Sequence, residues 1–235
     1  MQNCPLCNGL DNELFFENKI RKFYLCDNCG LIFVPKEFHL TAEEEKNEYD
    51  LHDNDVNDVY YRKFLNRLAT PVLEKLSNKL NKSMQPKGLD FGCGFAPALA
   101  AILEENGCEM AKYDRFYFDD KKVFKENYYD FITTTEVAEH LSQPMKEFQH
   151  LWNCLKKENN KSFLAVMTKL VNEDAFVDKK IFANWHYIRD LTHICFFSKR
   201  SCEYIAQKLT SLSINQNNEI EIEFIGNDIV IFTLV

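Results

Sequence analysis

The chain has 235 residues, 46% of them apolar, and a formal net charge of -8, enough for one large domain with a real core, alone or with a small appendage. The acidic balance argues against non-specific nucleic-acid binding, which rests on basic surface. No stretch approaches the roughly 20 apolar residues that span a bilayer, and the N-terminus lacks the charged-then-apolar order of a signal peptide, so no membrane association and a cytoplasmic location are expected.

Residues 1–36 carry two Cys-x-x-Cys pairs, Cys4/Cys7 and Cys26/Cys29. That spacing suits one zinc ion held tetrahedrally by four thiolates. All four positions come from protein, so the expected role of the metal is structural, in a lobe too small to hold a good core of its own. Between the pairs, Leu14-Phe15-Phe16 and the run from Ile20 to Leu25 flank a polar turn at Asn18-Lys19, the pattern of a hairpin. The remaining five of the nine cysteines are scattered in mostly apolar surroundings, as free core thiols would be. An odd cysteine count in a chain of this length does not suit a secreted disulfide scaffold.

Residues 37–58 are polar and mostly acidic and read as a linker. The cluster Tyr49, His52, Asp53 and Asn54 offers a second reading, a segment folded over a cleft. Residues 59–80 repeat Leu65, Leu68, Val72, Leu73, Leu76 and Leu80 at intervals of one, three and four, an amphipathic helix that Pro71 splits or kinks. Domain bounds of 1–36, 37–86 and 87–235 follow.

Residues 87–99, Lys-Gly-Leu-Asp-Phe-Gly-Cys-Gly-Phe-Ala-Pro-Ala-Leu, hold the centre of the remainder. A short apolar segment runs into Gly92 and Gly94 and then into an Ala- and Leu-rich stretch, which reads as strand, tight turn and helix. The new helix turns unpaired N–H groups toward the glycine turn. Asp114 ends a second apolar segment, where an acid would reach a ribose hydroxyl in a nucleotide-binding α/β unit. By spacing alone, nucleotide-type binding and an ordinary strand–helix junction both fit. Residues 116–126 are short for a full strand-plus-helix unit, so a third strand of the sheet is expected to be reduced. A strand over 129–134 leads to a loop with Glu136, Glu139 and His140, then a helix over 144–155 and a strand over 162–167 with a continuous apolar run of the kind a sheet covered on both faces demands. Residues 185–197 mix aromatics with His186, Arg189, Asp190 and His193. Ser198 caps a helix to about 209, and two alternating strands joined at Gly226-Asn227 close the chain as an antiparallel hairpin. The fold class is α/β, a doubly wound, mostly parallel Rossmann-like sheet with a C-terminal antiparallel hairpin and a small N-terminal zinc ribbon.

Leu89-Asp90-Phe91-Gly92-Cys93-Gly94, Tyr113-Asp114, and the run from Tyr129 through Thr135-Glu136-Val137-Ala138-Glu139-His140-Leu141 resemble, in order, three motifs of class I S-adenosylmethionine-dependent methyltransferases. The third resembles the version common among quinone-biosynthesis-like methyltransferases. With its N-terminal cysteine pairs, the whole chain is similar to a bacterial group of two-part methyltransferase-like proteins. The resemblance implies S-adenosylmethionine as cofactor, with Asp90, Gly92, Cys93 and Gly94 around its methionine part. It further implies Asp114 on the ribose hydroxyls, Phe116 against the adenine, Glu136 beneath the cofactor, and Glu139 and His140 bordering the substrate cleft. Ala96 stands where the family usually has a third glycine, and the short segment after Asp114 lacks a good equivalent of the family's adenine-binding acid.

Methyl transfer needs a base only when the nucleophile carries a tightly held proton. His140, His186 and His193 titrate in the right range, and Arg189 would hold an anionic group of the acceptor unless it pairs with Asp190. The expected activity is methyl transfer to a small-molecule acceptor. Two other readings are a methyltransferase of RNA or protein that presents its substrate on the zinc lobe, and a methyltransferase-like interaction module without catalysis. RNA is disfavoured because residues 1–36 hold only Lys19, Arg21, Lys22 and Lys36 as cations.

Overall fold

The computed structural model describes residues 2–51, 53–82, 84–157, 161–212 and 219–235. In chain order the strands and α-helices are β1 (Asn12–Glu17), β2 (Lys22–Cys26), β3 (Ile32–Phe33), α1 (Ala42–Asp50), α2 (Val59–Leu80), β4 (Lys87–Phe91), α3 (Ala98–Glu105), β5 (Glu109–Tyr113), β6 (Phe131–Thr135), α4 (Pro144–Cys154), β7 (Phe163–Met167), α5 (Lys179–Asn184), β8 (Cys195–Phe196), α6 (Lys199–Leu212), β9 (Ile220–Ile225) and β10 (Ile229–Leu234).

The main sheet has the order β5-β4-β6-β7-β10-β9. Its first four strands are parallel, and β10 runs antiparallel to both β7 and β9. Alternation along β7 shows how both faces are covered. Phe163, Ala165 and Met167 pack on one side with Leu65, Leu68 and Val72 of α2 and Leu99 and Leu103 of α3. Leu164 and Val166 pack on the other with Phe148 and Leu151 of α4 and Ile205 and Leu209 of α6. This is the doubly wound arrangement expected of successive parallel strands joined through helices.

The expected reduction of the third strand is visible. After β5 the chain makes a single bridge, Asp114 with Phe118, and one 3-10 turn at Lys121–Val123. Among the described residues β5 is therefore the sheet edge. Two local expectations change. The segment read as a linker holds α1, whose N-terminus is closed by a capping box of Thr41 and Glu44. Helix α2 runs unbroken past Pro71, since its buried face holds the turns together across the missing N–H of Pro71.

A second sheet, β1-β2-β3-β8, joins the N-terminal hairpin to the rest of the chain. Ile32 and Phe33 of β3 pair with Phe196 and Cys195 of β8. Phe15 and Phe23 pack edge-on against Phe182, and Phe23 against Phe196, within the same core as α4 and α6. Ser198 accepts the Ser201 N–H as the cap of α6 and donates its own hydroxyl to the Gly30 carbonyl at 2.9 Å. No helix among the described residues is long and apolar enough to cross a membrane.

Candidate active site

A cavity of about 620 Å³ opens at the carboxyl ends of β4, β5, β6 and β7. The strand register sets its floor. Phe91 pairs with Tyr113 in parallel β4 and β5, so the loops that follow the two strands leave side by side. Gly92 and Cys93 donate their N–H groups to the Tyr113 carbonyl at 2.7 and 3.1 Å. Gly94 donates to Asp114 Oδ2 at 3.1 Å, while Asp114 Oδ1 accepts from the N–H groups of Phe116 at 2.8 Å and Tyr117 at 3.2 Å. One carboxylate thus ties the glycine loop to the loop after β5.

Both glycines have left-handed φ, +78° and +63°, a region that costs a residue with a Cβ. They differ in surroundings. A Cβ on Gly92 would lie 2.2 Å from Val137, whereas a Cβ on Gly94 would meet nothing within 4 Å. Gly92 is needed for packing beneath the loop; Gly94 leaves open space above it. Asp90 is buried below this loop and accepts from the Thr133 hydroxyl at 2.9 Å; burial pushes its carboxyl up to about 7. It does not line the cavity, whereas Cys93 does.

Glu136 stands at the end of β6 with φ +51°, its N–H bonded to the Met167 carbonyl at 2.8 Å. Burial, with the charge of Glu139, raises its carboxyl to about 8. Phe116 lies under the Arg115 guanidinium, 4.6 Å from ring centre, and beside Tyr49. Tyr49, Glu45 and Asn54 close this side of the cavity. Tyr117 donates to Asp50 at 2.6 Å and so binds α1 to the loop after β5. The alternative reading of the acidic segment, a cover over a cleft, thus describes Tyr49 and Asn54; His52 lies outside the described residues.

The far end holds a cluster of proton-carrying groups. A Glu139 carboxylate oxygen and ring nitrogens of His140 and His193 lie within 4.8 Å of one another. Glu139 is fully buried; its Oε1 accepts from the Tyr187 hydroxyl and its Oε2 has no hydrogen-bond partner. Burial raises its pKa. His140 Nδ1 meets the Thr192 carbonyl at 3.1 Å and His193 Nδ1 meets the Tyr187 carbonyl at 2.9 Å. A carbonyl only accepts, so in both rings Nδ1 carries the proton. His193 Nε2 then faces Asp190 Oδ2 at 3.5 Å. Burial, followed by the neighbouring His140, lowers the His193 pKa. Burial would raise Asp190, but its bonds to Thr192, and the neighbouring His193 and His140 whenever they carry a proton, hold it below the usual range.

His186 and Arg189 part from this cluster. His186 is exposed at the cavity mouth, where its Nε2 meets Lys169 Nζ at 2.7 Å. Arg189 is exposed and does not line the cavity, and no ion pair joins it to Asp190, whose carboxylate turns to Thr192 and His193. Sequence reasoning passed over Arg115, Tyr117 and Lys169, all on the cavity wall. A signal existed for Tyr117, because Asp114-x-Phe-Tyr is the pattern of an Asx turn; none existed for Lys169.

Away from the cavity, the sulfur atoms of Cys4, Cys7, Cys26 and Cys29 all lie within 4.8 Å of one another. Cys4 and Cys29 are 3.5 Å apart, and Cys7 and Cys26 are 3.4 Å apart. A tetrahedral zinc site with sulfur at about 2.3 Å has edges of about 3.8 Å, so the four positions fit such an ion. Gly9 donates its N–H to Cys7 Sγ at 3.3 Å, the kind of bond that steadies a ligating sulfur.

Comparison with known proteins gives a consistent result. A family model described as "Methyltransferase domain" matches residues 61–209. No curated protein matches in sequence. Among solved structures the chain is similar to magnesium protoporphyrin IX methyltransferase (ChlM) from Synechocystis PCC 6803 with bound SAH, at 14% identity and a TM-score of 0.50, over 84% of this chain and 95% of that one. A looser overlay is with a SAM dependent methyltransferase from Archaeoglobus fulgidus, at 16% identity and 0.45, over 76% and 100%. Another is with Burkholderia thailandensis 1,6-didemethyltoxoflavin-N1-methyltransferase, at 10% and 0.49, over 95% and 98%. With well over half of its length matched, and with the parallel strands, glycine loop and acid arranged as described, the chain belongs to the methyltransferase domain family and has the class I S-adenosylmethionine-dependent methyltransferase fold.

Proposed function

We propose that the cavity binds S-adenosylmethionine over the Gly92–Gly94 loop and delivers methyl groups to a small-molecule acceptor held at the Glu139, His140 and His193 end. The observation that carries this reading is the open space above Gly94, bounded by Asp114 on one side and Glu136 on the other. When bound, the cofactor supplies an electrophilic methyl on a sulfonium. Cys93 and Gly94 shape the loop beneath its methionine part, with Asp90 buried as a brace under the turn. Asp114 Oδ1 and Oδ2 already accept three N–H groups and keep lone pairs for ribose hydroxyls. Phe116 offers a ring face to the adenine. Glu136, its pKa near 8, is held mostly neutral at neutral pH and so can donate as well as accept.

On the acceptor side the residues hold and move a proton. His193 is kept neutral and presents Nε2 as its basic atom. A proton taken up there is met by the Asp190 carboxylate. His140 shares the task through its own Nδ1–H bond to Thr192. Lys169 at the mouth, donating to His186 Nε2, presents positive charge to an acceptor that carries an anionic group. Tyr49 and Phe116 exclude water between the two ends. Arg189, outside the cavity wall, has no part in this scheme.

The four cysteines hold one structural zinc ion, which the sulfur spacing supports. None of the nine cysteines forms a disulfide, in keeping with a reducing, cytoplasmic setting. The test of cofactor binding is calorimetric titration of freshly purified, zinc-replete protein with S-adenosylhomocysteine. Saturation near one per chain in the micromolar range is expected. A well-folded, ligand-free protein that shows no binding would overturn the reading and favour an interaction module.

A further inference from the structure

Arg21 stands at the tip of the β1–β2 hairpin, in the lobe of the four cysteines, yet its side chain is only 2% exposed. The two terminal nitrogens of the guanidinium reach one distant turn, while the buried Nε has no hydrogen-bond partner. Nη1 donates to the carbonyls of Leu191 at 3.2 Å and His193 at 2.9 Å. Nη2 donates to those of Ile188 at 2.8 Å and Asp190 at 2.6 Å. Burial lowers its pKa only to about 10, so it stays charged at neutral pH. Four backbone carbonyls that converge on one point repel each other, and a buried carbonyl without a donor is costly. The 188–193 turn therefore depends on a planar, charged donor at its centre, which the guanidinium fork supplies and an ammonium does not.

That turn carries the acceptor-side chemistry. Asp190 and His193 belong to it, and the Tyr187 carbonyl just before it takes the His193 Nδ1–H. The other bonds between the hairpin lobe and this region grip the chain further on. Val34 N–H reaches the Ile194 carbonyl at 2.9 Å, β3 pairs with residues 195 and 196, and Ser198 reaches Gly30. Arg21 alone among the described residues of the lobe reaches the carbonyls of residues 188–191.

We propose that Arg21 is a positioning residue for the acceptor side of the cavity: its four hydrogen bonds shape the 188–193 turn and so aim His193 and Asp190, which makes the four-cysteine hairpin a structural part of the acceptor wall. The proposal rests on the reading of the His140 and His193 end as the acceptor side. It assigns a task to a lobe whose four cysteines do not line the cavity, and it does so through an arginine that does not line it either.

The experiment compares Arg21→Lys and Arg21→Ala with the wild type in the full, zinc-loaded chain. Hydrogen exchange is followed by mass spectrometry over residues 186–195 and 87–95, and the His193 ring signal by NMR with labelled histidine, assigned through His193→Gln. In Arg21→Lys, exchange of the Thr192 and Ile194 amides, now bound to Asp190 Oδ1 and the Glu139 carbonyl, is expected to accelerate about tenfold or more. The His193 signal shifts and broadens, while zinc content and affinity for S-adenosylhomocysteine stay within about twofold of wild type. In Arg21→Ala, millimolar guanidinium restores part of the protection. Unchanged exchange and an unchanged His193 signal in Arg21→Lys would overturn the proposal. So would an equal loss of protection at 87–95 and of cofactor affinity, which would mark Arg21 as a general folding element. Failure of the underlying reading shows separately, as wild-type protein that binds no S-adenosylhomocysteine. Arg21→Lys retains charge and donors, so the test survives if Arg21→Ala does not fold.

Discussion

Asp114, in the cavity wall, and Arg21, behind the turn that carries Asp190 and His193, both gather backbone groups but reach them by different routes. Asp114 gathers three N–H groups, all from its own loop or from the glycine loop of the neighbouring strand. The parallel register of β4 and β5 brings those loops together, so the cofactor wall follows from sheet pairing and a few turn residues. Arg21 gathers four carbonyls from a turn 167 to 172 residues further along the chain. No sheet register of the main domain puts it there. The proposed acceptor wall is thus held by long-range bonds to the small lobe that carries the four cysteines. One wall is built from residues within the family match; the other also draws on Arg21, outside it.

Three experiments break or sharpen this contrast. The largest effect is expected from Cys26→Ser, which takes one of four ligands from a site of the kind whose zinc contributes on the order of 10 kcal/mol to folding in small zinc domains. Zinc by elemental analysis should fall well below one per chain. Exchange should rise over residues 12–34 and, through β3–β8 and Arg21, over 186–196, with the cofactor loop still protected. Loss of S-adenosylhomocysteine binding to the same degree would show that the two walls are not separable. If the wild type itself contains no metal, the zinc assignment fails.

Asp114→Ala probes the other wall. It leaves the Gly94, Phe116 and Tyr117 N–H groups without their carboxylate and removes a partner for ribose hydroxyls. Affinity for S-adenosylhomocysteine should weaken by about 1–3 kcal/mol, with zinc content and exchange at 186–196 unchanged. Equal affinity in a folded variant would remove Asp114 from the cofactor site.

The third experiment reads a pH dependence. Glu136 has its pKa raised in the folded chain to about 8, above an unfolded value near 4.3. Between these values the folded state binds more protons than the unfolded one, so the contribution of Glu136 to stability is full below the lower value and is lost as pH rises toward and past 8. Asp90, raised to about 7, acts in the same direction; His193, lowered by burial, acts oppositely below its ordinary range. Comparison with Glu136→Gln isolates one group. The variant should gain on the wild type by about 2.5 kcal/mol, or about 5–10 °C in melting temperature, between pH 6 and pH 8.5. A constant difference across that range would show that Glu136 ionises freely.

Much of the cofactor wall was legible because its signals are short. Gly92 and Gly94, the apolar strands beside them, and Asp114 at a strand end all lie within some 27 residues, and period, turn residues and spacing report them directly. The same holds for the cysteine pairs, where ligand spacing is itself the signal, and for the shortened segment after Asp114, which leaves β5 at the sheet edge. The capping box of α1 was present in Thr41 and Glu44 but was masked by the acidic composition around it.

By itself, then, the sequence determined the α/β order, the glycine loop with its acid, the four-cysteine cluster and the C-terminal hairpin, since each depends on residues close together in the chain or on simple periodicity. The tertiary structure alone decided which polar groups meet. His140 and His193 come together 4.8 Å apart by ring centres, while His186 turns to Lys169 and Arg189 to solvent. Glu139 finds Tyr187, and Arg21 finds the turn that holds Asp190. These contacts join positions 17 to 172 residues apart; packing of whole layers sets them, and a buried charge or donor then takes the partners that its surroundings present.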